Sequence, residues 1–164
     1  MRIADIKFSG DEREPVIERL ETLKNIKLKP VRRYKKFLKG SDGLYYCIVG
    51  GSGDWHAIPK EVMEQEKKGQ ASVYLVIARW LRTRIEIYGG LLKPLFELRG
   101  SLSRNEKGDF QFNLKTPTDG ILSIKEVAGA KFEKLDEFSA PPVSRFKTLS
   151  EEKQRELLTK AGLK

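Results

Sequence analysis

The chain has 164 residues, 39% of them hydrophobic and 34% charged, and Lys plus Arg outnumber Asp plus Glu by 32 to 23, a formal net charge of +9. That balance describes a single globular domain with a crowded, ionised surface, able to bury about two-thirds of its unfolded area. It excludes a bilayer-spanning helix, since the longest strongly apolar run, Val73 to Ala78, is far too short. Cys47 is the only cysteine, so neither an intramolecular disulfide nor a thiolate zinc cluster can form. It lies in the apolar run Leu44 to Val49 and reads as a buried, inert thiol. With no apolar signal segment at Met1 to Asp5, the expected location is the cytoplasm or another reducing compartment.

Arg2 to Phe8 alternates as a short strand, and Pro15 then suits the start of a helix to Lys24, with Val16, Leu20 and Leu23 at helical spacing. Lys27 to Leu38 and Gly43 to Val49 read as two extended segments joined by the glycine-bearing linker 40–43. A glycine loop at 50–53 leads into an extended Asp54 to Ile58. Pro59 opens a helix over 60–67 that Gly69 stops. Val73 to Tyr88, rich in β-branched and aromatic residues, is one long bent strand or two, ended by Gly89-Gly90. A short helix with Pro94 in its first turn covers Leu91 to Arg99. Asp109 to Leu114 and Ile121 to Val127 form a hairpin with Phe110, Phe112 and Leu114 inward, and Lys131 to Leu135 adds an edge strand.

The composition changes at Ser139, where two prolines follow, so 1–138 is expected to be the compact domain and 139–147 a linker. Thr148 and Glu151 have the spacing of a capping box, which starts a C-terminal helix over 148–164. Such a helix is marginal alone and needs a docking surface, its own domain or a protein partner. The fold class is therefore α+β: a largely antiparallel mixed sheet, two or three short helices and a helical tail.

Eight cations collect between Lys24 and Lys39 with no Asp or Glu between Glu21 and Asp42. Such a run repels itself unless a polyanion or counterions neutralise it. In an extended segment Lys27, Lys29, Arg33 and Lys35 share a face, a row able to follow a phosphate backbone. The competing explanation is an edge strand made lysine-rich against aggregation.

On the strand Arg79 to Tyr88, alternation places Trp80, Arg82, Arg84, Glu86 and Tyr88 together, which is equipment for stacking bases and holding phosphates. A half-solvated sheet face with Glu86 paired to Arg84 explains the same residues. The lone histidine, His56, shares a strand face with Asp54, a general-base pairing without a nucleophile spaced to complete a triad. No metal-ligand spacing, phosphate-loop ending or cofactor motif occurs.

These features predict a nucleic-acid-binding domain without cofactor or metal, DNA slightly ahead of RNA, gripping phosphates through Lys27, Lys29, Arg32, Arg33, Lys35 and Lys36 and meeting bases through Trp80, Arg82, Arg84 and Tyr88. The alternatives are a nucleic-acid hydrolase centred on Asp54 and His56, and a protein-interaction module that uses the C-terminal helix.

Overall fold

The computed structural model describes residues 10–32, 34, 36–51, 53–81 and 84–139. The expected strand at 2–8, the linker beyond Ser139 and the C-terminal helix lie outside them, and Ser139 itself closes the last strand. The described residues form a mixed α+β domain with a large mixed sheet and a small one. No helix among them is long and apolar enough to cross a membrane.

Helix α1 runs Gly10–Lys24 and contains Pro15 within it, not at its start as expected. Proline removes one helical hydrogen bond, but Val16 and Leu20 are completely buried under the sheet and hold the helix on. The segment expected to be one extended run instead folds back on itself: β1 (Leu28–Pro30) pairs antiparallel with β2 (Phe37–Gly40). The reversal passes through Arg32, whose φ of 54° ends the extended conformation. From β2 the chain turns through 41–44 into β3 (Tyr45–Gly51), as the glycine linker predicts. Tyr46 Oη donates to Asp42 Oδ2 at 2.5 Å across that turn. The Tyr46 hydroxyl pKa rises well above its ordinary value, first through burial and then through Asp42.

β4 (Trp55–Ile58) and α2 (Lys60–Lys68) form the crossover to β5 (Val73–Trp80), which lies parallel to β3. Gly69 caps α2 at φ 69°, its N–H donating to the Glu66 carbonyl. The long apolar segment is two strands, β5 and β6 (Arg84–Leu91), in an antiparallel hairpin. Gly89 and Gly90 do not end it. They are strand residues, and a Cβ on Gly89 would lie 2.5 Å from the Tyr74 ring and 2.7 Å from Leu135.

A short α3 (Lys93–Glu97) follows. β7 (Ser103–Arg104) and β8 (Phe110–Asn113) join β4 in the three-stranded sheet, in the order β4-β8-β7. β9 (Ile121–Ser123) pairs with β10 (Lys131–Ser139) in the large sheet. The expected 109–127 hairpin is thus divided between two sheets, its arms joined by the bridge Leu114 to Ile124 and by Asn113 donating to the Glu126 carboxylate. The inward placement of Phe110, Phe112 and Leu114 holds. β10 is an interior strand between β6 and β9 and not an edge, because β9 covers its outer side.

The large sheet has the order β1-β2-β3-β5-β6-β10-β9, antiparallel throughout except for β3 with β5. Burial on both faces explains the near-continuous hydrophobicity of β3 and β5. Cys47, Val49, Leu75 and Ile77 face one core with α2, α3 and the small sheet. Tyr46, Ile48, Val76 and Ala78 face the other, beneath α1. The Cys47 thiol is fully buried, and burial pushes its pKa up to about 12, as expected of an inert cysteine.

Candidate nucleic-acid interface

The outer edge of the large sheet carries the cations. β1 is only three residues long and ends in Pro30, and in its register Lys29 stands directly opposite Lys39. Like charges directly opposite one another destabilise a strand pair. Phe37 points into the core shared with α2, and alternation puts Lys39 and Lys29 on that same side of the sheet. Lys27, Lys29 and Lys39 are all exposed. Together with Pro30, Val31 and the half-buried Tyr45 they line a groove of about 420 Å³, and no carboxylate is among its described lining residues.

The groove floor is aromatic. Tyr45 packs on Phe37 at 5.3 Å between ring centroids, and Phe37 packs on Tyr34 at 6.3 Å. Lys39 Nζ sits 5.5 Å from the Tyr45 centroid, within cation–π range. At the far end of this row Tyr34 and Lys36 border a second hollow, which also has Lys60 and Lys107 on its walls, here accompanied by Glu61 and Asp109. Exposed Arg32 lies in the loop between β1 and β2. Among the described residues, no carboxylate lies within ion-pair distance of Lys27, Lys29, Arg32, Lys36 or Lys39.

The folded arrangement is therefore not the single row expected from an extended segment. Lys27 and Lys29 share the groove, Lys36 borders the second hollow, and Arg33 and Lys35 lie outside the described residues. Lys24, from the same charge run, has left the site altogether and sits 4.3 Å from the Tyr74 ring, at the end of α1. In its place the hairpin sets Lys39, the last cation of the run, beside Tyr45, which the sequence alone does not nominate. The signal for Tyr45 was present, since it opens the strand that pairs with the lysine-bearing one.

The expected aromatic and arginine face is corrected. The β5–β6 hairpin pairs Trp80 with Ile85, an even-numbered residue with an odd one, so the alternation reverses across the turn. Trp80 is buried beneath α1, and Tyr88 is buried on the opposite side of the sheet. Arg82 lies outside the described residues. Arg84 is engaged: its Nη2 is 3.5 Å from Glu86 and its Nε is 3.1 Å from Glu137.

Glu86 is the hub of this second cluster. Its carboxylate also accepts from Arg79 Nη1 at 3.1 Å, Lys134 Nζ at 3.3 Å and Tyr88 Oη at 3.1 Å. Burial alone would raise its pKa. The hydrogen bonds from Lys134 and Tyr88 and the charges of Lys134 and Arg79 outweigh burial and hold it below the ordinary value. The pKa of the Tyr88 hydroxyl moves up, first through burial and then through the Glu86 charge.

Asp54 and His56 do not form a general-base pair. His56 Nε2 lies 3.0 Å from the Gly53 carbonyl, which can only accept, so the proton resides on Nε2. No hydrogen bond joins the imidazole to the exposed Asp54. Burial keeps the imidazole pKa low, and Lys36 pushes the same way against the Gly53 bond and Asp54. Its ring packs 6.0 Å from Phe112. Among the described residues, no group of three His, Cys, Asp or Glu side chains is placed to hold a metal ion.

No protein-family model, curated protein or solved structure matches this chain.

Proposed function

We propose that the protein binds nucleic acid along the β1–β2 edge, with Lys27, Lys29 and Lys39 gripping phosphates and Arg32 and Lys36 extending the contact. The observation that carries this reading is the face-to-face placement of Lys29 and Lys39 at a groove that no carboxylate among the described residues lines. A short, proline-ended, lysine-bearing edge strand also guards against edge-to-edge association. That role alone does not require lysines on both strands of the pair, where they repel each other. An external polyanion relieves the repulsion and gains counterion-release free energy. DNA is placed slightly ahead of RNA, and the buried thiol of Cys47 accords with a reducing compartment such as the cytoplasm.

The test is a fluorescence-anisotropy titration against single- and double-stranded DNA and RNA at low and moderate salt. Affinity is expected to fall steeply with salt, and Lys29→Glu with Lys39→Glu to weaken binding to unrelated sequences alike. Binding that ignores salt, or that survives the double reversal, overturns the reading.

A further inference from the structure

We infer that the groove selects single-stranded nucleic acid, with one base laid on the Tyr45 ring while Lys27, Lys29 and Lys39 hold the flanking phosphates; this rests on the binding function proposed above. A phosphate grip alone needs no aromatic floor. This groove has one: Tyr45 is half-buried, packed on the Phe37 ring with Lys39 Nζ over its own ring, and Pro30 and Val31 are apolar walls. A volume of about 420 Å³ lies within the range of small-ligand sites and is concave. A duplex hides its base faces in the stack and offers this floor nothing, whereas an unpaired base presents a π-face to it.

The cations complete the complementarity. Lys29 and Lys39 flank the groove from adjacent strands, and Lys27 lies two residues before Lys29 on the same side. Lys39 Nζ lies within cation–π range of the same tyrosine ring, so phosphate contact and base contact fall within one nucleotide's reach. No carboxylate among the described residues lines the groove, so none of them competes with a phosphate for these ammonium groups. The expected occupant is an extended, unpaired strand recognised without strong sequence preference, since every base has a face to stack.

The experiment uses the full chain and three probes at one salt concentration: oligothymidylate, a duplex of equal length and inorganic polyphosphate. Oligothymidylate is expected to bind at least tenfold more tightly than the duplex. One stacked base is worth about five- to 150-fold in affinity. Tyr45→Ala is therefore expected to lose a factor in that range for oligothymidylate, to leave polyphosphate binding unchanged, and Tyr45→Phe to restore the preference. Tyr45 also packs against the core, so a measurement on the unaltered protein accompanies the variants. Ultraviolet cross-linking of an iodouracil-substituted strand is expected to mark Tyr45, and marking only other residues overturns the inference. Equal affinity for strand and duplex, with both weakened by Lys29→Gln plus Lys39→Gln, also overturns it and leaves the binding function standing. Absence of salt-dependent binding to all three probes overturns both.

Discussion

Arg79, Arg84 and Lys134 converge on the buried Glu86 across β5, β6 and β10, whereas Lys27, Lys29 and Lys39 stand at the β1–β2 edge around a groove with no carboxylate among its described lining residues. Both groups occupy the same face of the large sheet. In the first, each cation has its anion within the fold, and the arrangement ties three strands together. In the second, the strand pairing itself brings two lysines together with no carboxylate among the described residues within ion-pair distance. Composition alone cannot tell these cases apart. Whether the balancing charge lies inside the fold decides whether a cluster of cations serves the architecture or a ligand.

The largest expected effect breaks the closed cluster. Glu86→Gln leaves Arg79 and Lys134 facing a neutral amide, and removing one member of a buried ion pair costs about 3–5 kcal/mol. The cations here are partly exposed, with side-chain exposures of 17% and 31%. Solvent screening therefore reduces the loss to about 2–3 kcal/mol by urea denaturation. A change below about 1 kcal/mol would show that the network does not hold the strands.

Reversal at the open cluster moves binding and not stability. Lys29→Glu with Lys39→Glu is expected to lower affinity for oligonucleotide by at least tenfold, with an unchanged urea midpoint. Two lost phosphate contacts reduce the slope of log affinity on log salt by about 1.4–1.8. An unchanged slope assigns the cations to edge protection only.

Acid separates the two clusters by sign. Because the carboxyl of Glu86 is held below its ordinary value of 4.5, its contribution is complete above that value. The contribution is lost as pH falls through the lowered folded-state value. Urea midpoints of the wild type should therefore drop in this acidic window by more than those of Glu86→Gln. Parallel curves would contradict the stabilising hydrogen bonds. The Lys29→Gln plus Lys39→Gln variant, which introduces no carboxylate, should follow the wild type there.

The smallest effect has an unusual direction. Lys29→Gln removes one member of a like-charged cross-strand pair, so it is expected to stabilise the protein by about 0.2–1 kcal/mol while weakening nucleic-acid binding. Thermal unfolding at low salt reads the first change and anisotropy the second. Loss of stability would mean that Lys29 is held by a favourable contact in the fold.

Much of the architecture was legible before any coordinates. The α2 boundaries with the Gly69 cap, the β2–β3 turn, the inward Phe110, Phe112 and Leu114, and the buried Cys47 all follow from local rules. These rules concern turn chemistry and short-range periodicity, which neighbouring residues settle among themselves. The misjudged features are those decided at a distance. Pro15 sits inside α1 because Val16 and Leu20 dock on the sheet, and β10 is interior because β9 pairs outside it. The site was half legible: the acid-free run marked the right segment, but read as one strand it put Lys27, Lys29, Arg33 and Lys35 in a single row.

What the chain determined unaided is the α+β class, the basic excess and the segment in which that excess concentrates. Charge and pattern are additive along a sequence. Tertiary structure alone decided which cations are compensated. Register brings Lys29 to Lys39 and Glu86 to Arg79, and the β5–β6 turn sends Trp80 and Tyr88 to opposite sides. Electrostatic pairing depends on distance through space, and for residues far apart in sequence that distance exists only after the strands have found their partners.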